Sequence, residues 1–181
     1  MHFLRQLKRH GLRNHIPNIS PEVGEMLNLL ILTKRPKRIL EIGCANGYST
    51  IWMAEAARDV GAHITAIDFS APTFQAAQKN LVMAGLSRFV TFHFGNALEV
   101  IPSLPGTETF DFVFVDGEIR NSWDFWLVVQ PKLAKNGLVL FDNMLKFPHK
   151  SASFFDHLSR LEPFFHLTIP IDGGDGLLLI S

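Results

Sequence analysis

The sequence predicts one open α/β domain, in which helices cover both faces of a mostly parallel, seven-stranded sheet. Two observations lead to this prediction. Short apolar segments alternate with helical patterns along most of the chain, which is typical of parallel strands joined by helical crossovers. Several of these segments end in an acidic residue, as strands do at the ligand-binding edge of such sheets. A chain of 181 residues is long enough to bury a full core as a single domain.

Local patterns give the order of the elements. A basic N-terminal arm over residues 1–19 precedes a leading helix over 20–36, which Ser20 caps and Pro21 opens. The core over 37–181 is predicted to contain strands over 37–42, 63–67, 89–94, 110–115, 137–141, 164–169 and 177–180, and helices over 49–61, 70–85, 122–135 and 151–161.

Three details qualify this assignment. Pro131 is expected to kink or split the helix over 122–135, and residues 102–109 are expected to form a loop. The glycine-rich turn over 172–176 is too short for a parallel crossover. The last two strands are therefore predicted to form an antiparallel hairpin.

Composition excludes several classes of protein. The formal net charge is zero, so no overall field favours nucleic acid or acidic lipid. The single cysteine, Cys44, excludes an internal disulfide framework. The sequence has no apolar run long enough for a membrane span and no signal-peptide pattern after Met1. We therefore expect a cytoplasmic protein without a membrane partner.

The N-terminal arm is basic against this neutral background, because its lysines, arginines and histidines all precede the first acid, Glu22. One interpretation is an amphipathic leader that packs Phe3, Leu4, Leu7 and Leu12 on the domain or on a second copy of the chain in a homodimer. The other is an arm that contacts RNA. The sequence leaves both open.

The stretch over residues 38–50, RILEIGCANGYST, combines a strand, a glycine turn and a helix start. Such a turn presents backbone N–H groups and the positive end of a helix to a nucleotide-like or carboxylate-bearing ligand. The turn contains Gly43 and Gly47 but has no glycine at the middle position of the G-x-G-x-x-G pattern. This spacing disfavours a pyrophosphate-containing dinucleotide.

Polar residues lie at or directly after the ends of four of the predicted parallel strands, at Glu41, Asp68, Asp116 and the pair Asp142-Asn143. Any one of them could simply cap the next helix. Since the carboxyl ends of parallel strands share one edge, we expect the four positions to form a site together. Asp68 ends the second strand, where a carboxylate accepts hydrogen bonds from ribose hydroxyls.

These motifs together resemble the S-adenosylmethionine-dependent O-methyltransferases of the catechol and caffeoyl-CoA type, which have the Rossmann-like class I methyltransferase fold. The resemblance lies in E-I-G-x-x-x-G-Y-S, the acid after the second strand, F-V-D, and D-N after the fifth strand. It implies that S-adenosylmethionine is bound by Glu41, Gly43, Gly47, Tyr48, Ser49, Asp68, Phe69, Asn96, Ala97 and Asp116.

The resemblance also implies individual roles at the cofactor. Ser49 would meet the methionine carboxylate, Asp68 the ribose diol and Phe69 the adenine ring. Asn96 and the backbone of Ala97 would contact the adenine edge. The family often has aspartate where this chain has Asn96, and an amide oxygen can still accept from the adenine amine.

The family's divalent-metal ligands match Asp116, Asp142 and Asn143, three oxygen donors suited to Mg²⁺ or a similar cation. The resemblance makes Asp116 catalytic as well. The implied reaction is metal-assisted methylation of a hydroxyl on a small aromatic, catechol-like acceptor. Methylation of a hydroxyuridine in transfer RNA is the first alternative, and a protein that binds S-adenosylmethionine without turnover is the second.

Two departures from the family limit what the resemblance implies. Many relatives have a lysine, read as the general base, where this chain has Ile119 followed by Arg120. Neither side chain takes up a proton, so His149, in the loop after the D-N pair, is an alternative candidate for the base. Only residues 144–150 separate the D-N pair from the next predicted helix, and this short loop predicts an open acceptor site.

Overall fold

The computed structural model describes residues 2–162, 164–171 and 176–181. Its strands are β1 (Arg38–Ile42), β2 (His63–Asp68), β3 (Val90–Phe94), β4 (Phe110–Val115), β5 (Leu133–Phe141), β6 (His166–Pro170) and β7 (Gly176–Ile180). Its helices are α1 (His2–Arg13), α2 (Pro21–Lys34), α3 (Tyr48–Val60), α4 (Ala71–Met83), α5 (Ala97–Ser103), α6 (Ser122–Val129) and α7 (Pro148–Leu158). Short 3₁₀ turns lie at Ser87–Phe89, Ile119–Asn121 and Gln130–Lys132.

All seven strands form one sheet in the order β3-β2-β1-β4-β5-β7-β6. Strands β1 to β5 pair in parallel, and β7 is antiparallel to both β5 and β6. The predicted fold class is therefore confirmed, including the antiparallel C-terminal pair. The connecting residues 172–175 of the predicted hairpin lie outside the described part of the chain.

The strand order indicates where a ligand would bind, at the carboxyl ends of the central strands. The chain crosses from β1 to β2 and β3 on one side, and to β4 and β5 on the other. At the last residue of β1, Ile42 pairs with Ile67 of β2 and Val115 of β4. The residues that follow these strands consequently meet at one edge, beside the point where strand order reverses.

The core lies on both faces of the sheet, because successive strand residues point to opposite sides. On β4, Phe112 and Phe114 pack in the cluster beneath α1 to α4. Val113 and Val115 pack in the cluster beneath α5, α6 and α7. All four side chains are buried, as the continuous apolar pattern of this strand predicts.

Proline and capping residues set several boundaries. The α2 helix begins at Pro21 with Ser20 as its cap, whose hydroxyl accepts from the Val23 N–H at 3.2 Å, as predicted. The predicted helix over 122–135 is too long, because α6 ends at Val129 before Pro131 and β5 already begins at Leu133. The predicted helix over 151–161 begins three residues earlier, with Pro148 in its first turn.

A short helix was not predicted between β3 and β4. The α5 helix begins after Asn96, whose side-chain oxygen accepts from the Leu98 N–H at 3.1 Å. It continues through Pro102 into the segment that was expected to be loop. A seven-residue helix gives little periodic signal, and its burial of Ala97 and Ile101 against the sheet stabilises it.

The basic N-terminal arm is a helix that packs on the domain. Leu4 and Leu7 of α1 are buried, and α1 lies against α3. Leu12 is 69% exposed, so it does not share the burial of Leu4 and Leu7 on the domain, and its packing on a second copy of the chain stays a prediction. Within the described residues, no helix is long and apolar enough to cross a membrane.

Candidate functional site

The glycine turn after β1 has a backbone that other residues cannot adopt without strain. Gly43 has a φ of +88°, and a Cβ atom on it would lie 2.2 Å from the Asp116 carbonyl oxygen. Gly47 has a φ of +84°, and its Cβ would crowd Leu81 and Ala77. The two glycines therefore allow β1, β4 and α4 to approach one another closely around the start of α3.

Asp68 holds this turn against the end of β2. One carboxylate oxygen accepts from the Ala45 N–H at 2.7 Å, and the other accepts from the Ser70 N–H at 2.8 Å. The side chain is mostly buried. Each carboxylate oxygen has a second lone pair, so the same group can also accept from a ligand hydroxyl. Its role at a ribose stays a prediction.

Glu41 is fully buried beneath the turn. Its two oxygens accept hydrogen bonds from the Ser49 hydroxyl at 2.5 Å and the Thr50 hydroxyl at 2.6 Å. Burial raises the pKa of Glu41 to about 7, the two hydroxyls oppose that rise, and the charge of Asp68 adds to it. The Ser49 hydroxyl thus already donates within the protein. For its predicted role at the methionine carboxylate, which only accepts hydrogen bonds, the backbone N–H of Ser49 is the donor that remains.

Glu41→Gln should change how stability depends on pH. A raised pKa means that the folded protein holds this proton more tightly than the unfolded chain does. The stabilisation is complete below about pH 4.5 and disappears as the pH rises through about 7. The free energy of unfolding of the wild type is therefore expected to fall by on the order of 3 kcal/mol between these two pH values.

Urea unfolding of the wild type and Glu41→Gln at a series of pH values measures this effect. The difference in unfolding free energy between the two proteins should shift in favour of the variant as the pH rises, because glutamine does not ionise. A difference that stays constant over the whole range contradicts the raised pKa.

The remaining predicted cofactor residues lie at helix starts or directly after strands, at the same edge of the sheet. Tyr48 is buried at the start of α3, and burial raises the pKa of its phenol. Phe69 is 77% exposed directly after Asp68, which leaves its ring accessible to a flat ligand. Asn96 is exposed and Ala97 is buried at the start of α5. Their contacts with a cofactor stay predictions.

Asp116, Asp142 and Asn143 meet at the ends of β4 and β5. The Asn143 amide nitrogen lies 2.9 Å from an Asp142 carboxylate oxygen and 3.4 Å from an Asp116 carboxylate oxygen. Asn143 has a φ of +62°, a left-handed conformation that asparagine tolerates better than most residues. The backbone at this bend carries the amide toward both carboxylates.

This trio matches the donor set of a hard divalent cation. Among the described residues, no three histidine, cysteine, aspartate or glutamate side chains form a metal-binding group; here two carboxylates are joined by an amide instead. Rotating the Asn143 amide by half a turn exchanges its nitrogen for its oxygen. All three side chains would then offer oxygen to the same point, so the residues fit Mg²⁺ or a similar ion.

The trio lines a cavity of about 210 Å³. The other lining residues come from the first helix, the linker to α2 and the loop after β5, and they are Lys8, Leu12, Ile16, Pro17, Asn18, Ile19 and Lys146. The N-terminal segment thus lines one side of this cavity, where the loop after the D-N pair is short. The expectation of an open acceptor site stays a prediction.

Lys8 fixes this wall. Its ammonium donates to the carbonyl oxygens of Asn18 at 2.7 Å and Ile19 at 2.6 Å, and it lies 5.6 Å from the centre of the Tyr48 ring. These contacts tie α1, the linker and the start of α3 together. No motif in the sequence predicts this convergence, since Lys8 and Tyr48 are far apart in the chain.

Neither Ile119, which stands where many relatives have a lysine base, nor the alternative candidate His149 lines this cavity. Ile119 is buried among the apolar residues beneath α6 and α7, so this position does not face the cavity. His149 is exposed and contacts the Phe147 ring edge to face; it does not line the cavity around the trio. Its role as a base stays a prediction.

The strand order of the sheet and the residues at its carboxyl edge are those of a Rossmann-like, class I methyltransferase fold. A family profile described as a methyltransferase domain matches residues 40–144. The chain therefore belongs to this methyltransferase family. The match covers the glycine turn, Asp68, Asp116 and the D-N pair.

Individual relatives are similar along most of the chain. A catechol O-methyltransferase of Niastella koreensis is 34% identical over 139 residues, which cover 70% of this chain and 62% of that protein. A caffeoyl-CoA O-methyltransferase of Eucalyptus globulus is 32% identical, with 70% and 52% covered. The chain thus spans about half to three fifths of the length of these curated relatives.

Solved structures agree in fold. The O-methyltransferase TomG of Streptomyces achromogenes, determined in complex with SAM, superposes with a TM-score of 0.88 and 26% identity, covering 99% of this chain and 89% of that one. An O-methyltransferase of Bacillus cereus, in complex with SAH, has a TM-score of 0.90 at 20% identity, covering 100% and 91%. The second likeness shows the fold alone.

Proposed function

We propose that this chain is an S-adenosylmethionine-dependent O-methyltransferase that methylates a hydroxyl of a small aromatic, catechol-like acceptor with the help of a divalent cation. The observation that carries the proposal is the convergence of Asp116, Asp142 and Asn143 on one cavity. This cavity lies at the sheet edge that also holds the glycine turn and Asp68.

The cofactor supplies an activated methyl group when bound, and the protein's own residues hold the cofactor in place. The glycine turn lets its backbone approach the methionine portion, and the first N–H groups of α3 favour a carboxylate. Asp68 accepts from ribose hydroxyls, while the exposed Phe69 ring covers the adenine. The Asn96 side chain and Ala97 N–H contact the adenine edge.

Asp116, Asp142 and Asn143 would hold the divalent cation. A divalent cation at this position supplies Lewis-acid chemistry, which lowers the pKa of an acceptor hydroxyl and fixes its direction. The linker residues Ile16 and Ile19 contribute an apolar wall that excludes water from one side of the acceptor. The protein thereby aligns a hydroxyl with the methyl group for in-line transfer.

Removal of the metal tests this assignment. The purified protein is treated with a chelator, desalted, and assayed for methyl transfer from S-adenosylmethionine to a catechol. We expect transfer to be lost and then restored by added Mg²⁺. S-adenosylhomocysteine should still raise the melting temperature of the metal-free protein. Undiminished transfer without metal rejects the role of the cation, and binding without any transfer indicates a cofactor-binding protein without turnover.

A second candidate acceptor is a hydroxyuridine in transfer RNA. Arg5, Arg9 and Arg13 recur every four residues along α1 and are all exposed. Residues four apart share one face of a helix, so they form a basic row on the helix whose Lys8 and Leu12 line the cavity. Unmodified transfer RNA in the same assay distinguishes this candidate from the catechol. RNA binding should weaken steeply with added salt.

A further inference from the structure

A second cavity lies at the amino end of β5, opposite the edge of the sheet that holds the glycine turn. It has a volume of about 450 Å³ and is lined by residues 133–137 together with Gln130, Phe164, Phe165 and Ser181. This volume falls within the range of about 300–1,000 Å³ that is usual for small-molecule sites, and it exceeds the 210 Å³ of the cavity around the trio. None of the lining residues takes part in the proposed methyl transfer.

A bulge in β5 forms one wall of this second cavity. Leu133 and Leu138 pair with β4 residues that are only two positions apart, so the residues of β5 between them bulge out. Asn136 has a φ of +60°, and its carbonyl oxygen accepts from the Lys34 ammonium at 2.6 Å. The bulge is thereby tied to the end of α2, and it presents the exposed side chains of Lys135 and Asn136 at the cavity.

Two phenylalanines form the opposite wall. The Phe164 ring meets Trp126 edge to face, with 5.0 Å between the ring centres. Phe165 is 83% exposed, although its backbone N–H and carbonyl both pair with Ser181, at 2.9 and 3.0 Å. A large ring is thus held in water on a fixed backbone. Such rings are the surfaces on which nucleobases stack, whichever base is offered.

Two side-chain amides, those of Gln130 and Asn136, also line the cavity. Each amide has two N–H donors and one acceptor oxygen. Both side chains are exposed, and neither amide forms a hydrogen bond with another residue in the described part of the chain. Adjacent donors and acceptors of this kind match the edge of a nucleobase.

Positive charge is concentrated beside the cavity. Residues 34–38 read K-R-P-K-R, and Lys34 contacts the bulge. Within the described ranges, Arg35, Lys37 and Lys135 form no salt bridge. Only β4 lies between β1, which starts at the end of this basic run, and β5, so the run and the cavity are about 10 Å apart across the sheet. Cations without carboxylate partners suit a phosphate group.

We propose that this cavity binds a nucleoside phosphate. The base stacks on Phe165 and meets the amides of Gln130 and Asn136, while the phosphate meets Lys135 and the basic run over 34–38. This site is separate from the proposed cofactor site and uses none of its residues. The same group, a base with its phosphate, is present in a free nucleotide and in an RNA strand, and the experiment distinguishes these two sources.

Isothermal titration calorimetry tests the site. The protein is titrated with AMP, UMP and adenosine, both alone and after saturation with S-adenosylhomocysteine, which fills the proposed cofactor site. Because stacking tolerates any base, we expect both nucleotides to bind, with the same affinity in either case. Adenosine should bind about fivefold more weakly than AMP, because it lacks the phosphate.

Two variants assign this binding to the cavity. Phe165→Ala should weaken the binding of AMP and of adenosine by about tenfold each, because both lose the stacking surface. Lys135→Met should remove most of the preference for AMP over adenosine, with the affinity for adenosine within about twofold of the wild type. Both residues are exposed, so the melting temperatures of the variants should stay close to that of the wild type.

Each variant has a matched control outside the cavity. Leu167→Ala removes a 61% exposed apolar side chain from β6, two residues after Phe165. Lys79→Met removes an exposed ammonium from α4. Neither Leu167 nor Lys79 lines the cavity, so both controls should bind AMP and adenosine as the wild type does.

Three results would overturn the inference. The first is that neither AMP nor UMP binds. The second is that nucleotide binding disappears on saturation with S-adenosylhomocysteine, which would place the nucleotide in the cofactor site. The third is wild-type binding by both Phe165→Ala and Lys135→Met. A short oligoadenylate separates the sources when the site is confirmed, since tighter binding than AMP indicates an RNA strand and equal or weaker binding indicates a free nucleotide.

Discussion

Asp68→Ala is expected to lower the affinity for S-adenosylhomocysteine by about 100-fold. In the proposed complex this carboxylate accepts from both ribose hydroxyls, and hydrogen bonds to a charged group contribute about 1.5–3 kcal/mol each. Loss of about 3 kcal/mol corresponds to a factor of about 100 in the dissociation constant. Isothermal titration calorimetry of both proteins measures it.

Asp111→Ala is the matched control for this variant. Asp68 accepts from the backbone N–H groups of Ala45 and Ser70, and Asp111 likewise accepts from those of Lys37 and Arg38, both at 2.9 Å. Each variant thus loses two backbone hydrogen bonds to a carboxylate, but Asp111 lies at the opposite edge of the sheet. Only Asp68→Ala should weaken the cofactor. Equal effects would mean that Asp68 acts through stability alone.

The sequence predicts this sheet well because its signals are local. Each of the strands β1, β2 and β4 is a short apolar segment that ends next to an acidic residue or a glycine, and their bounds differ from prediction by one residue at most. The start of α2 also follows from one capping residue and one proline. In these places a few neighbouring residues determine the backbone.

Long-range contacts set the parts that the sequence did not predict. Leu133 and Ala134 pattern as the end of a helix, but pairing of Leu133 with Phe110 extends β5. The α5 helix contains Pro102 and depends on burial of Ile101 against the sheet. Tertiary packing overrides local propensity at both places.

The candidate site likewise has one part that local sequence predicts and another part that depends on long-range contacts. The shared sheet edge could be inferred from strand ends, because parallel strands all point the same way. The wall of the cavity could not, since it depends on Leu4 and Leu7 packing the first helix onto the domain and on Lys8 binding two linker carbonyls. No spacing in the sequence links these residues to Asp116 or Asp142.

Asp142→Ala is expected to lower the rate of metal-dependent methyl transfer by about 10³-fold. Asp142 is one of two carboxylates in the proposed metal site, and its side chain is mostly buried. Lewis-acid stabilisation by a bound cation contributes several kcal/mol, and each 1.36 kcal/mol is a factor of ten in rate. Cofactor affinity should stay within about twofold of the wild type, because the glycine turn and Asp68 remain intact.

Two measurements and one control make this expectation specific. Calorimetric titration with Mn²⁺ should show that metal binding is lost together with the rate, and S-adenosylhomocysteine titration should show that the cofactor site is preserved. Asp156→Ala removes an exposed carboxylate from α7 and should change neither. Asp116 and Asn143 together supply one negative charge and cannot balance a divalent cation alone. If Asp142→Ala binds metal as tightly as the wild type does, the cation binds elsewhere and the trio only closes the loop after β5.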